Sequence, residues 1–249
     1  MTTALITNDD GIDAPGIRRL ALAAREAGLD IVVAAPIREA SGSSASVSAV
    51  AEDNRIVIES RELSGLDGVP TFAVVGSPGL IALLATRGAF GDPPDLVLSG
   101  INLGGNAGHA ILHSGTVGAA MTGAIHGCRA LAMSLDIRTR EGERHWDSAT
   151  CLVPQLVPLL AGLPDSTVLN VNVPDLPPDR VRGLRQATLG GFGEVQMRIA
   201  EKGIGFVRTA LEEREAAHPP GSDMALLREG YATVTPVTPM REAAVSLAL

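Results

Sequence analysis

Ala4-Leu5-Ile6-Thr7-Asn8-Asp9-Asp10-Gly11 is the stretch that decides how this chain folds and where its chemistry sits. Ala4-Leu5-Ile6 is short and apolar, as expected of a strand buried in a parallel sheet. Beyond the acidic pair, Asp13 is a candidate N-cap and Pro15 lies near a first helical position. Leu20 and Leu22 then carry on an apolar, helix-like stretch. Strand, turn and helix in this order put Asp9 and Asp10 at the carboxyl end of a strand, where open α/β sheets place their ligands. Adjacent carboxylates repel unless something positive lies between them, and a hard divalent cation suits that position. In isolation, Asp10-Gly11 is equally a turn and Asp13 equally a cap, so the rest of the chain has to decide.

Outward from this segment, strands and helices alternate. Gly28 is a helix stop, and Ile31-Val32-Val33-Ala34-Ala35 reads as a second buried strand. Ile56-Val57-Ile58, Phe72-Ala73-Val74-Val75, Asp95 to Ser99, Ala130 to Leu135 and Val168 to Val173 read as further strands. Helices are expected after Ser77-Pro78, over Thr116 to Ile125, and over Trp146 to Leu160, where Pro154 and Pro158 threaten a break or kink. Such alternation predicts right-handed βαβ units and a three-layer α/β architecture with a mostly parallel sheet. After Pro174 the punctuation changes, with Pro177-Pro178, Gly190-Gly191 and Pro219-Pro220-Gly221. We therefore expect a core over residues 1–180 and a C-terminal extension over 181–249 that ends in Tyr231 to Val234 and a short apolar tail. Extensions of this kind often mediate self-association.

Composition narrows the function. The chain has 249 residues, enough for one large α/β domain with a substantial core. Apolar residues make up 45% but aromatics only 2%, so Ala, Val, Leu and Ile must build that core. A formal net charge of -8 argues against binding duplex nucleic acid or an anionic membrane by bulk electrostatics. Cys128 and Cys151 provide neither a disulfide framework nor metal-ligand spacing. No basic leader precedes Asp9 and no apolar run is long enough to span a bilayer, so the expectation is a soluble, cytoplasmic protein. Lys202 is the sole lysine. That excludes a Walker-type phosphate loop, which needs a lysine after its glycines, and disfavours Schiff-base chemistry.

Four loops that follow strands can converge on one sheet edge. They hold Asp9 and Asp10; Ser41, Ser43 and Ser44; Ser99 to Asn106; and His113-Ser114-Gly115-Thr116. The carboxylates offer charge for Mg²⁺ or Mn²⁺, while Asn102 and a serine hydroxyl offer neutral oxygens. Ser114-Gly115-Thr116 offers hydroxyls and free N–H groups at a helix start, which suits a phosphate. A metal beside a phosphate cradle suggests phosphate ester hydrolysis. Each piece also has a plainer reading: a flexible linker around Ser41, a helix cap at Ser114, a tight turn at Gly104-Gly105, an Asx turn at Asn102, and surface residues at His109 and His113.

As an ordered set these segments are more specific. Thr7-Asn8-Asp9-Asp10-Gly11-Ile12-Asp13-Ala14-Pro15-Gly16-Ile17 resembles the opening signature of the SurE-type 5′-nucleotidases, also called survival protein SurE. Ala35-Pro36, Arg38 and Ser41-Gly42-Ser43-Ser44 resemble its second signature, and Ser99-Gly100-Ile101-Asn102 with Ser114-Gly115-Thr116-Val117 its third. Asn170-Val171-Asn172-Val173-Pro174 and Glu229-Gly230-Tyr231 are similar to its later landmarks. The resemblance implies a Rossmann-like core, an oligomerising C-terminal part giving a homodimer or homotetramer, and a metal-dependent phosphatase acting on nucleoside monophosphates. It also implies one divalent ion on Asp9, Asp10, Ser41 and Asn102, with Asp9 orienting or deprotonating a water. Phosphate binding falls on Ser114, Gly115 and Thr116, with Asn106 nearby. This chain departs from the pattern at Ile37, where an aspartate is usual, at Gly79-Leu80, at His109-Ala110 and at His113.

With four Phe, one Tyr and one Trp, a base-stacking pocket is hard to build, so the same hydrolysis on a non-nucleotide phosphate ester is one alternative. A non-catalytic nucleotide-binding homologue is another. A nicotinamide-dependent oxidoreductase is disfavoured because no Gly-x-Gly-x-x-Gly follows the first strand. A phospho-aspartate phosphatase needs its aspartates two apart, and here they are adjacent.

Overall fold

The computed structural model describes residues 2–49, 51–52, 55–137, 141–164, 166–191, 195–213 and 218–242. The chain opens with β1 (Thr3–Thr7), α1 (Pro15–Glu26) and β2 (Asp30–Pro36). Two short strands, β3 (Ala51–Glu52) and β4 (Arg55–Ile56), pair antiparallel. Then come β5 (Ile58–Ser60), β6 (Thr71–Val74), α2 (Pro78–Thr86) and β7 (Leu96–Leu103). A 3₁₀ turn at Gly108–His113 leads into α3 (Gly115–Ile125), β8 (Arg129–Asp136), α4 (Trp146–Thr150), α5 (Val153–Ala161) and β9 (Val168–Pro174). The last part holds β10 (Leu184–Gln186), β11 (Val195–Gly203), β12 (Phe206–Glu213), α6 (Asp223–Arg228) and β13 (Ala232–Val237).

Nine strands form one sheet in the order β10-β13-β9-β8-β7-β1-β2-β6-β5. From β9 across to β6 every pairing is parallel. β5 and β13 run antiparallel to β6 and β9. The parallel strands are mostly apolar because helices cover both faces, with Ser99, Ser134, Asn170 and Asn172 as buried polar exceptions. On one face α1 buries Ile17, Leu20, Ala21 and Ala24, the i, i+3, i+4, i+7 stripe of an amphipathic helix. Trp146, Val153 and Leu156 from α4 and α5 join the same cluster. On the other face α2 and α3 bury Ile81, Val117 and Ala120 against Leu5 and Val97. The result is the expected three-layer α/β/α arrangement, Rossmann-like in form. None of the helices among the described residues is long and apolar enough to cross a membrane.

The order of strands has a direct consequence. From β1 the chain moves one way to β2 and β6, then returns to the other side of β1 as β7, β8 and β9. The switch point therefore lies between β1 and β7, and the crevice that open sheets use for ligands lies off their carboxyl ends.

Two local expectations are corrected, and a third, the proline break, is met. Asp13 does not cap α1: the N-cap residue is Ala14, no side chain bonds there, and Pro15 takes the first turn. Proline removes one of the N–H groups that a cap would otherwise satisfy. Ile56-Val57-Ile58 is not one strand but a join, with Ile56 ending β4 and Ile58 opening β5. Val57 and Ile58 lie exposed at the sheet margin, where packing imposes little. Trp146 to Leu160 splits at Cys151-Leu152 because Pro154 belongs in a first turn, whereas Pro158 is accommodated inside α5.

Within the C-terminal segment, β10 and β13 join the main sheet, while β11 and β12 form a separate two-stranded hairpin. The apolar tail beyond residue 242, and residues 192–194 and 214–217 of the extension, lie outside the described residues.

Candidate functional site

β1 ends at Thr7, and Asn8 shapes the turn beyond it. Its Oδ1 accepts from Gly11 N at 3.2 Å and its Nδ2 donates to Gly11 O at 3.0 Å, closing the chain around Asp9 and Asp10. Asp9 O accepts from Ala40 N at 2.7 Å, which brings the serine loop alongside. Asp10 Oδ2 accepts from Leu103 N at 3.2 Å, which brings the end of β7 and Asn102 to the other carboxylate. Thr116 Oγ1 donates to Asp9 Oδ1 at 2.5 Å, tying in the start of α3. The chain ends that follow β1, β2 and β7 thus meet the first turn of α3 at the switch point.

Gly115 shows how closely they meet. A Cβ there would lie 2.6 Å from Ser43 Oγ and 2.7 Å from Asp9 Oδ2, so only glycine fits between the helix and these two groups. Ser43 Oγ is buried without a hydrogen-bond partner among the described residues. Ser44 Oγ donates to Leu112 O at 2.7 Å, fastening the serine loop to the 3₁₀ turn.

Electrostatically the carboxylates are uncomfortable. Asp9 is 5% exposed, and burial raises its pKa, although the Thr116 hydroxyl and N–H groups of Gly115 and Thr116 pull it back. Burial, then repulsion from Asp9 and from Glu39, pushes Asp10 up to about 6, against the Leu103 N–H. The charges acting on Asp10 are of its own sign, and a cation would relieve both groups.

The donor set fits a hard divalent ion. Two carboxylates carry the charge. Asn102 Nδ2 donates to Gly104 O at 2.6 Å rather than its Oδ1 closing an Asx turn, which leaves Oδ1 as an acceptor. Ser41 is exposed, and its Oγ donates to Glu39 Oε1 at 2.6 Å while keeping its lone pairs. Among the described residues there is no cluster of three His, Cys, Asp or Glu side chains, so neutral oxygens have to complete any such shell.

Ser114 is the N-cap of α3, its Oγ accepting from Val117 N at 3.1 Å, so the plainer reading of that residue holds. Asn106 is fastened further along the sheet. Its N–H donates to Asn172 Oδ1 at 2.7 Å, its Nδ2 donates to Ser134 Oγ at 2.9 Å, and its carbonyl accepts from Asn170 Nδ2 and Asn172 Nδ2. Ile37 is partly buried against the main hydrophobic cluster, a packing reason for an apolar side chain there.

Sequence reasoning missed three residues near the site. Glu39 touches Ser41 and bears on Asp10, and an acidic residue inside a serine-rich loop was the available signal. Asn8 reads as the turn former it is. Asn172 lies far along the chain, and only strand pairing brings it to Asn106.

An open, mostly parallel sheet with a carboxylate pair at its switch point and a helix start packed against it defines an acidic-crevice α/β protein of Rossmann-like form. The chain belongs to the survival protein SurE family, whose family model matches residues 4–193. It is similar to the 5′-nucleotidase SurE of Stenotrophomonas maltophilia (strain K279a), with 38% identity over 240 residues, 94% of this chain and 88% of that protein. The 5′/3′-nucleotidase SurE of Klebsiella pneumoniae (strain 342) is 37% identical over the same length and shares. Among solved structures, the SurE protein from Aquifex aeolicus matches with a TM-score of 0.78 and 31% identity, covering 96% of this chain and 94% of that one.

Proposed function

We propose that this chain is a divalent-metal-dependent phosphomonoesterase that hydrolyses nucleoside 5′-monophosphates to nucleoside and phosphate. The observation that carries this reading is the like-charged Asp9–Asp10 pair, Asp9 buried against the first turn of α3 and Asp10 half-buried beside it. Nucleotidase names on relatives that share 94% of this chain support it.

Asp9, Asp10, Ser41 and Asn102 would hold one Mg²⁺ or Mn²⁺. When bound, such an ion supplies charge stabilisation for phosphoryl transfer to water. Gly115 and Thr116 N–H groups, at the positive end of an eleven-residue helix, suit phosphate oxygens once the Asp9 charge is offset. The Ser114 hydroxyl and the second Nδ2 hydrogen of Asn106 complete the phosphate-binding set, Thr116 contributing through its N–H because its hydroxyl is given to Asp9. Asp9 has one oxygen occupied by Thr116, and its other oxygen orients or deprotonates the attacking water.

Phe72 and Phe90 stack on each other, ring centroids 5.3 Å apart, rather than offering a face to a ligand. The assay that tests the reading is phosphate release from a panel of nucleoside monophosphates and sugar phosphates, with Mn²⁺, with Mg²⁺ and with EDTA. Metal-dependent release with nucleotides ranked first is expected. Sugar phosphates ranked first would move the substrate to another ester, and no release from a folded protein would leave a nucleotide-binding homologue. The reading extends to a homodimer or homotetramer built through the C-terminal segment, whose hairpin exposes Ile199, Ile204, Phe206 and Val207.

A further inference from the structure

Asp223 is a fully buried carboxylate with no part in the chemistry above. Its Oδ2 accepts from Gly108 N at 2.7 Å, and its Oδ1 from Gly190 N and Met224 N, both at 2.8 Å. Hydrogen bonds to a carboxylate are among the stronger ones, and a buried charge needs them. Two of these donors belong to segments distant from Asp223 in sequence and from each other, so one side chain joins three parts of the chain.

Those parts are mechanically informative. Gly108 opens the 3₁₀ turn that ends at His113, one residue before the cap of α3. The same turn accepts the Ser44 hydroxyl at Leu112 O, so it touches the serine loop as well. Gly190 stands where the chain leaves toward β11, and Asp223 stands where it returns from β12. Thr188 N donates to Gly221 O, and Asp223 N donates to Thr188 O, closing the base of that arm. The turn and the arm base are packed backbone on backbone: His109 N donates to Gly191 O at 3.0 Å, and a Cβ on Gly108 would lie 2.1 Å from Gly191 O.

We propose that Asp223 is a positioning residue for the phosphate-binding turn Ser114–Thr116, holding the Gly108–His113 strut against the base of the β11–β12 arm. This rests on the phosphate-binding reading of that turn. A load on the arm is transmitted to the start of α3 through this carboxylate, whereas Asp10 and Asn102 are held at the ends of β1 and β7, and only Asp9, through Thr116, and the Ser41 loop, through Ser44, touch the strut's side of the site. Losing Asp223 therefore loosens phosphate binding more than metal binding, for which Asp10 and Asn102 stay in place.

The test compares wild type, Asp223→Asn and Gly108→Ala in the full-length protein. Amide hydrogen exchange, inhibition by inorganic phosphate, and half-saturating Mn²⁺ are measured for each. Gly108→Ala perturbs the other end of the same hydrogen bond, so it serves if Asp223→Asn folds poorly. The expected result is faster exchange confined to residues 106–118 and the arm base, phosphate inhibition weakened about tenfold, the scale of one charge-assisted bond, and Mn²⁺ dependence unchanged within about twofold. Unchanged exchange at 106–118, or exchange raised equally across β1, β7 and β8, would overturn the proposal. So would equal weakening of phosphate and Mn²⁺. Exchange is read without activity: a wild type that releases no phosphate defeats the hydrolase reading, and with it the phosphate role of Asp223, even if the strut loosens.

Discussion

Asp9 and Asp10 are neighbours with unlike surroundings. Asp9 is compensated by the Thr116 hydroxyl and the first N–H groups of α3, while Asp10 has one backbone donor and two like charges nearby. Asp10→Asn should lower metal-dependent phosphate release by about 100-fold or more, the scale seen on removing a group that stabilises transition-state charge. The same variant, freed of a desolvated and repelled charge, should melt no lower than wild type without metal; calorimetry in EDTA checks this. Asp175 is the opposite case. Burial would raise its pKa, but His145 N–H, the Arg144 guanidinium and the His145 ring hold it below the usual carboxylate value. A lowered folded pKa means stability that is present above the unfolded value of 3.8 and lost as pH falls through the folded one. Asp175→Asn should thus melt below wild type at pH 7, by about 1–3 kcal/mol of stability, with the gap closing as pH drops under 3.8.

At the scale of the element, α3 does two jobs with one turn. Ser114 caps it, and Gly115 lets it approach Ser43 and Asp9. Ser114→Ala should cost about 1 kcal/mol through the cap alone, read as a drop in melting temperature of about 2–4 °C. A rise in KM beyond that loss assigns Ser114 to the phosphate; an unchanged KM assigns it to the cap. Gly115→Ala should leave the helix intact yet reduce phosphate release by about tenfold or more, because its Cβ must displace Ser43 Oγ or the Asp9 carboxylate. Full activity in that variant would show that the close approach is not needed for turnover.

Across the whole molecule, the proposed metal and assembly should both register in stability and size. On the proposed reading, an ion between Asp9 and Asp10 would bind the native state alone, so Mn²⁺ at 100 times its Kd should add about 2.7 kcal/mol of stability. The melting temperature should climb with Mn²⁺, return with EDTA, and not respond in Asp10→Asn; an equal response in that variant would remove Asp10 from the ion's ligands. The β11–β12 hairpin stands outside the main sheet with Ile199 and Val207 exposed. Light scattering should give a dimer or tetramer for wild type and a monomer for the double variant Ile199→Glu, Val207→Glu, with the core's melting transition retained.

Short-range physics made much of this protein legible in its sequence. Apolar β1 followed by Asp9-Asp10-Gly11, the alternating strands and helices, and the cap at Ser114 depend on residues within a few positions of each other, so pattern alone revealed the layered fold and the acidic crevice. Expectations failed where packing or proline outweighed local preference, at Asp13 and at Val57, whereas the break before Pro154 was legible from the proline itself. Only the tertiary structure decided which loops meet. Strand order put β1 beside β7, sheet pairing delivered Asn172 to Asn106, and the return of the chain from β12 delivered Asp223 to Gly108 across 115 residues. Contacts at such separations follow from the burial of the whole sheet, and no local window of sequence contains them.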